Sequence, residues 1–326
     1  MRVSQSKIKT WRRCRRAAHY KYIELLRRRV PPRPLKFGSL VHRMLEHEKN
    51  GRSHEAALEE LTPQDWQMFE EQIEEYGDIA QDALDIMSSY KRYWKKDRIL
   101  YIPVGKEKRR AEHELFMDIA PGITAIVIID FLARSDNGKR WLGDHKTYSR
   151  ELSDDALWKS MQAMLYHRVW EENGHKPLDG TLWDMVWSKA PGVPKITKTG
   201  KVSESACVTL PETLKRFFVD NDIDPKEHKE RWENAKSTRS RYFRRVYMPR
   251  HPTIEKSMFT DFKRTAKEIN RKLGKDRTRN IDKHCDWCEF RLLCQARLLN
   301  LDYGFVKRNH YIVDEGRADE RITTGD

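Results

Sequence analysis

The longest apolar run in the chain, ITAIVIIDFLA (123–133), carries a single carboxylate, Asp130, and has turn chemistry on both sides. Pro121-Gly122 precedes it and Asp136-Asn137-Gly138 follows it. A run of this length, rich in β-branched residues and bounded by turn signals, reads as a buried strand. Its flanks agree: AEHELFMDI (111–119) alternates with period two, and KRWLGDHKT follows the hairpin turn as a third strand. A helix over about 154–173 then leads to a fourth strand at TLWDMVWSKA (181–190).

Elsewhere the period is helical. Ser4 or Ser6 can cap a first helix that runs to about residue 29 and is stopped by Pro31, Pro32 and Pro34. FGSLVHRMLEHEKN (37–50) reads as a second helix ended by Asn50-Gly51. Thr62-Pro63 opens a helical stretch that ends near Asp97, and residues 210–236 and 254–275 are also expected to be helical. The pattern predicts an α/β or α+β fold, with a small mixed sheet of three or four strands flanked by helices. Residues 1–326 are expected to form a single domain with a helical insertion over 52–100.

No stretch reaches the 18 apolar residues a membrane span needs, and the N-terminal MRVSQSKIKTWRRCRR lacks a signal-peptide core. A cytoplasmic protein with reduced thiols is therefore expected. The formal net charge is +14, with basic runs at 11–16, 25–34, 106–110 and 239–245, the first and last of them interleaved with aromatic residues. Such a chain suits a polyanionic partner, DNA or RNA, with phosphate neutralisation and base stacking.

Asp144 and Lys146 are two residues apart on the third strand, so their side chains share a face. Asp130 lies fourteen residues earlier, across the hairpin. Adjacent strands about 4.8 Å apart allow two carboxylates to share a divalent cation, which suits phosphodiester hydrolysis. A lysine ammonium beside them can stabilise charge developing on the phosphate. His42 follows Gly38 by four residues, and Gln162 and Tyr166 lie one helical turn apart. Glu114 on the preceding strand admits two readings, an accessory acid or a solvated strand carboxylate.

Three of the five cysteines fall within HCDWCEFRLLC (284–294). Cys285, Cys288 and Cys294 with a histidine, His284 or His310, would make a zinc site; with a fourth thiolate they would make an iron–sulfur site. Cys14 and Cys207 remain, and Cys207 lies in a strand-like stretch where it reads as an ordinary buried thiol.

Taken in order and spacing, Gly38-x3-His42, the apolar strand ending in Asp130, Asp144-x-Lys146 and Gln162-x3-Tyr166 resemble the RecB-type nucleases of the PD-(D/E)xK superfamily. SQSKIKTWRRCRRAAHYKYI is also similar to the first helix of that group's iron–sulfur members, which include CRISPR-associated exonucleases, phage-encoded relatives and the AddB nuclease domain. The resemblance runs from about residue 4 to 296 and is loose over 50–100 and 190–280. It implies a restriction-endonuclease-like core in which His42, Asp130, Asp144 and the backbone carbonyl of His145 hold Mg²⁺ or Mn²⁺. Lys146 would be the catalytic lysine, and Gln162 and Tyr166 would position the strand or the site. Ile129 stands where the superfamily name has proline. The resemblance further implies a [4Fe–4S] cluster on Cys14, Cys285, Cys288 and Cys294, closing the fold by joining residues 281–296 to the N-terminal helix.

By the same resemblance the expected activity is a DNA exonuclease, 5′→3′, acting on single strands or duplex ends. Its setting would be phage or prokaryotic recombination, repair or DNA processing. Two rivals stand beside it: a non-catalytic nucleic-acid-binding protein with a structural metal, and the nuclease subunit of a helicase–nuclease assembly. A homo-oligomer is compatible with either. No G-x4-G-K-[ST] phosphate loop is present, so any unwinding is expected to come from a partner or from DNA ends.

Overall fold

The structure is a computed structural model of the chain and describes residues 1–103, 110–150, 152–205 and 207–314. The basic run at 106–110 therefore lies mostly outside the described residues. A two-residue strand, β1 (Arg2–Val3), leads into α1 (Gln5–Arg13) and α2 (Arg15–Tyr22). The single long first helix expected from sequence is thus two, because Cys14 between them is extended (φ −164°, ψ 119°). The chain turns at Leu25, whose φ is 52°, into β2 (Leu26–Arg28), well before the prolines. Those prolines start the next helix instead of stopping the first. Pro32 caps α3 (Arg33–Lys49), and Pro34 sits in its first turn, where its missing N–H costs nothing.

Residues 52–100 carry α4 (His54–Glu59), α5 (Pro63–Tyr76) and α6 (Ile79–Tyr93), then reach β3 (Leu100–Tyr101). Thr62 and Asp65 form a reciprocal capping box on α5, and Gly77 at φ 72° splits the expected long helix in two. The strands β4 (Ala111–Ala120), β5 (Ile123–Arg134) and β6 (Arg140–Tyr148) form the expected antiparallel meander. Then α7 (Asp154–Trp158) and α8 (Met161–Glu172) cross over to β7 (Gly180–Trp187), which pairs parallel with β6. α9 (Pro211–Asp220) and α10 (Lys229–Tyr242) lead to β8 (Phe243–Pro249), antiparallel to β7. The C-terminal part is α11 (Pro252–Lys272), α12 (Arg291–Leu298), α13 (Tyr303–His310) and β9 (Tyr311–Val313), which pairs with β2.

Among the described residues the mixed sheet has seven strands rather than three or four. The additions are the short β1 and β3 on either edge of β5, and β8, which the sequence presented as the basic run RSRYFRR. Helices α1, α8 and α11 bury one face of the sheet around Val3, Ile8, Trp11, Leu142 and Phe262. Helices α3 and α6 bury the other around Phe37, Met44, Ile86 and Val186. Both faces are covered along β7 and along β5 from Ile129 to Ala133, where nearly every residue is buried, whereas Ile128 on β5 is exposed.

One edge of β5 is forked. β1 pairs with it at Thr124 and Ala125, and β6 pairs with it only from Phe131 onward. Residues 126–130 on that edge have no ladder partner among the described residues, and Asp130 is the last of them. Beside the fork, Gly143 faces Phe131. A Cβ at Gly143 would lie 2.1 Å from Phe131 Cε2, inside a ring that is itself wholly buried. Gly143→Ala is therefore expected to cost about 1–3 kcal/mol of stability through overpacking, read as a lower unfolding midpoint in denaturant.

Candidate active site

Where the ladder opens, the Asp130 carboxylate replaces the missing backbone partner. Its Oδ2 accepts the backbone N–H of His145 at 2.6 Å. Helix α3 brings His42 to the same carboxylate, with Nδ1 3.7 Å from Asp130 Oδ2. Gly38, one turn earlier, permits this approach, because a Cβ there would lie 3.0 Å from Thr147 Oγ1 on β6. The Gly-x3-His spacing is thus a packing requirement followed by a functional group. His42 also contacts the backbone of His145 and feels the charge of Asp144; burial nevertheless keeps its imidazole below the ordinary value.

Asp144 and Lys146 share a face of β6 as their spacing predicts, with Lys146 Nζ 2.6 Å from Asp144 Oδ2. Gln162 on α8 bridges the two. Its Oε1 accepts from Lys146 Nζ at 3.1 Å, and its Nε2 donates to Asp144 Oδ1 at 2.9 Å. Tyr166, one turn later, accepts a second bond from that amide at 3.0 Å. Asp144 is 1% exposed, whereas the Lys146 side chain keeps 31% of its surface. The ammonium is therefore accessible while its partner is fixed. Burial, with the Asp144 charge next in weight, pushes the Tyr166 phenol well above its ordinary value and leaves it neutral.

Sequence reasoning missed one acid. Glu112, not Glu114, reaches the site: single ligand atoms of His42, Glu112 and Asp130 all lie within 4.8 Å of one another. Glu114 is solvent-exposed on β4 opposite Ile128, the second of the two readings its sequence allowed. Glu112 adopts φ 55° and drops out of the ladder between Ala111 and His113. Simple alternation cannot anticipate that irregularity. The only sequence signal was a second glutamate in AEHEL.

The carboxyls crowd one another. Burial, then the charges of Asp144 and Glu112, holds Asp130 well above the carboxylate range. Burial, then Glu46 and Asp144, raises Glu112 to about 7. Buried like charges of this kind are the usual environment of a bound cation or of catalytic acids. His145 differs from its neighbours: its side chain lies on the opposite side of β6, 3.4 Å from Asp184 Oδ2. Burial lowers that imidazole to about 4 despite the pull of Asp184. Asp184 is fully buried against Arg245, with Nε–Oδ1 at 3.2 Å, and Tyr90 donates to it. This ion pair anchors β7 to β8 behind the site.

The cysteines come together in part. The segment Lys283–Trp287 is a 3₁₀ turn that sets Cys285 and Cys288 close in space, and Cys294 is on α12. All three, with Cys14, line one cavity of about 280 Å³. Cys207 lies elsewhere and outside regular structure, beside Val208 and Thr209 on a separate cavity. His284 lines the cysteine cavity, and its Nε2 is buried without a hydrogen-bond partner; His310 is not among the lining residues.

Part of the basic charge is engaged within the fold. Arg15 pairs with Glu268 and Asp276, and Arg239 with Glu212. Arg12 bonds Thr265 Oγ1, so the runs at 11–16 and 239–245 are partly structural. No helix among the described residues is long and apolar enough to cross a membrane.

The family model for the PD-(D/E)XK nuclease superfamily matches residues 2–295. None of the curated proteins compared with the chain matches it. The crystal structure of SSO0001 overlaps 90% of this chain and 86% of that chain at 12% identity, with a TM-score of 0.35.

Proposed function

The chain belongs to the PD-(D/E)XK nuclease superfamily, and from that premise we propose that it is a metal-dependent DNA exonuclease. It acts 5′→3′ on single strands or duplex ends, in phage or prokaryotic recombination, repair or DNA processing. The observation that carries the proposal is the convergence of His42, Glu112 and Asp130 beside an Asp144–Lys146 pair bridged by Gln162.

The donor set fits a hard divalent cation, because carboxylate oxygens and an imidazole meet in a pocket of excess negative charge. Asp130, Asp144, Glu112, His42 and the His145 backbone carbonyl would hold it. Mg²⁺ or Mn²⁺ bound there supplies Lewis-acid polarisation of a phosphate oxygen and a more acidic water. The chain's own residues do the rest. The Lys146 ammonium is placed to stabilise charge developing on the phosphate, and its bond to Gln162 fixes that placement. Gln162 also holds Asp144 in one orientation, and Tyr166 holds the Gln162 amide.

Two measurements bear on this. Oligonucleotides labelled at the 5′ or the 3′ end, incubated with Mg²⁺ or Mn²⁺, are expected to release the 5′ label first as mononucleotides or short pieces. Release from the 3′ end, or internal cuts alone, would overturn the polarity or the exonuclease mode. In the second measurement, metal-free protein loses stability as pH rises from about 4.5 through about 7, because Glu112 ionises only with difficulty in the fold. Mn²⁺ at about a hundred times its dissociation constant restores about 2.7 kcal/mol. Asp130→Asn is expected to melt later than wild type without metal and to gain nothing from Mn²⁺.

We also propose that Cys14, Cys285, Cys288 and Cys294 bind a [4Fe–4S] cluster that ties α1 and α2 to the C-terminal segment. Their shared cavity supports this. A second reading has its own observation: His284 in the same cavity, with Nε2 unpartnered, suits a zinc site of cysteines and histidine. Iron, sulfide and zinc analysis of anaerobically purified protein separates them.

A further inference from the structure

Beside Lys146 a second cavity, of about 460 Å³, opens between α7, α8 and the β7–β8 edge. Trp158, Met164, His167, Trp183, Met248 and Arg250 are among the residues that line it. Trp183 connects it to the catalytic strand, lying opposite Asp144 in the parallel register of β6 and β7. Lys146 Nζ stands 5.6 Å from the centre of the Trp183 ring. Ala163, next to Gln162, is also part of the lining. The cavity and the proposed catalytic site therefore share a wall.

Its chemistry is mixed in a particular way. Two indoles and two thioethers stand among aliphatic and polar lining residues, and two buried polar atoms are left unsatisfied. Trp183 is 1% exposed, and its Nε1–H has no hydrogen-bond partner. His167 is 2% exposed; its Nε2 contacts Thr181 Oγ1 at 3.0 Å, while its Nδ1 has no partner. Native interiors seldom leave such groups unmet, because the cost of desolvation is not recovered. An apolar cleft with a few convergent polar atoms is what a small aromatic ligand requires. Trp158 stands at the mouth, 37% exposed, its ring fixed by a bond from Nε1 to Asp155 Oδ1 at 3.0 Å.

A phosphate does not fit this cleft. Arg250 is tied to both Glu171 and Glu255, so its charge is already met. We infer that the cleft is a subsite for one nucleobase of the bound strand, stacked on indole and hydrogen-bonded at its edge by His167 and Trp183. The inference rests on the nuclease reading above and adds where the strand lies. The nucleotide held here is at or next to the one whose phosphate meets Lys146. Stacking on aromatic faces tolerates any base, so a subsite of this kind does not require a particular sequence.

The test uses the full chain in EDTA and single-stranded oligonucleotides in which 2-aminopurine replaces one base at a time. Anisotropy of a distal label reads binding, and 2-aminopurine emission reads stacking. Emission is expected to be quenched at one position, or two adjacent ones, when the complex forms. Trp158→Ala should abolish part of that quenching and weaken binding about tenfold. It should have no effect on an oligonucleotide that is abasic at that position. Because Trp158 is exposed, its melting temperature should match wild type. Binding without position-specific quenching would overturn the subsite and leave the cleft to a protein segment. Absence of both binding and metal-dependent cleavage would sink the nuclease reading itself, a result distinct from the first.

Discussion

Lys146→Ala is expected to lower the rate of metal-dependent cleavage about 10²–10³-fold while DNA binding changes little. The magnitude is that of removing one preorganised charge-stabilising donor from a phosphoryl- or acyl-transfer site. Lys146 is suited to the role because it is held twice, by Asp144 at 2.6 Å and Gln162 at 3.1 Å, yet remains partly exposed. Removing it also leaves Asp144 without its cation, so the comparison is best made with Mg²⁺ or Mn²⁺ present. Lys146→Arg separates charge from position: it keeps the charge, but a planar fork cannot reproduce a point ammonium seated on one amide oxygen. Its rate should stay near that of the alanine variant. A wild-type rate in Lys146→Ala would remove the lysine from the chemistry.

The second large effect concerns the cysteines. Cys14→Ala is expected to lose the metal chromophore and to lower the unfolding temperature markedly, and Cys207→Ala to do neither. Metal-site binding energy is folding energy when the ligands come from distant parts of the chain. Here one ligand is at the junction of α1 and α2, and three lie some 270 residues later. The ends are also held by other means. The β2–β9 ladder joins them, Asn280 bonds the Arg13 carbonyl, and the Arg16 N–H bonds the Thr278 carbonyl. Loss of the site should therefore loosen this corner more than it unfolds the sheet. Visible absorbance and a thermal melt on the same samples give both readouts. A colourless wild type containing stoichiometric zinc would contradict the iron–sulfur assignment and leave the clasp itself in place.

The meander and its hairpin were legible because local signals agree there: β4 alternates with period two, β5 is a near-continuous apolar run, and Asp-Asn-Gly marks the turn. The same period two placed Asp144 and Lys146 on one face. Helical spacing likewise placed Gln162 and Tyr166 on one side of α8, where both meet the site. Three features escaped for physical reasons. Glu112 stands opposite Asp130 in the register of β4 and β5, a cross-strand relation that no local pattern reveals, and its left-handed backbone takes it out of the ladder. β8 hides behind its arginines: Arg245 is buried against Asp184, a pairing between strands that no local pattern reveals. The break at Cys14 carries neither glycine nor proline, so a helix running to residue 29 was the natural expectation. The resemblance to iron–sulfur nucleases pointed to Cys14, but the extended backbone that ends α1 there had no local signal.

On the reading proposed above, this carboxylate site, with a divalent cation, cuts DNA. The direct measurement is cleavage of end-labelled single-stranded and duplex DNA by wild type and Asp144→Asn, in EDTA, Mg²⁺ and Mn²⁺. Products are expected only for wild type and only in the metal arms. Tight DNA binding by wild type with no cleavage in any metal, or equal cleavage by Asp144→Asn, would contradict it.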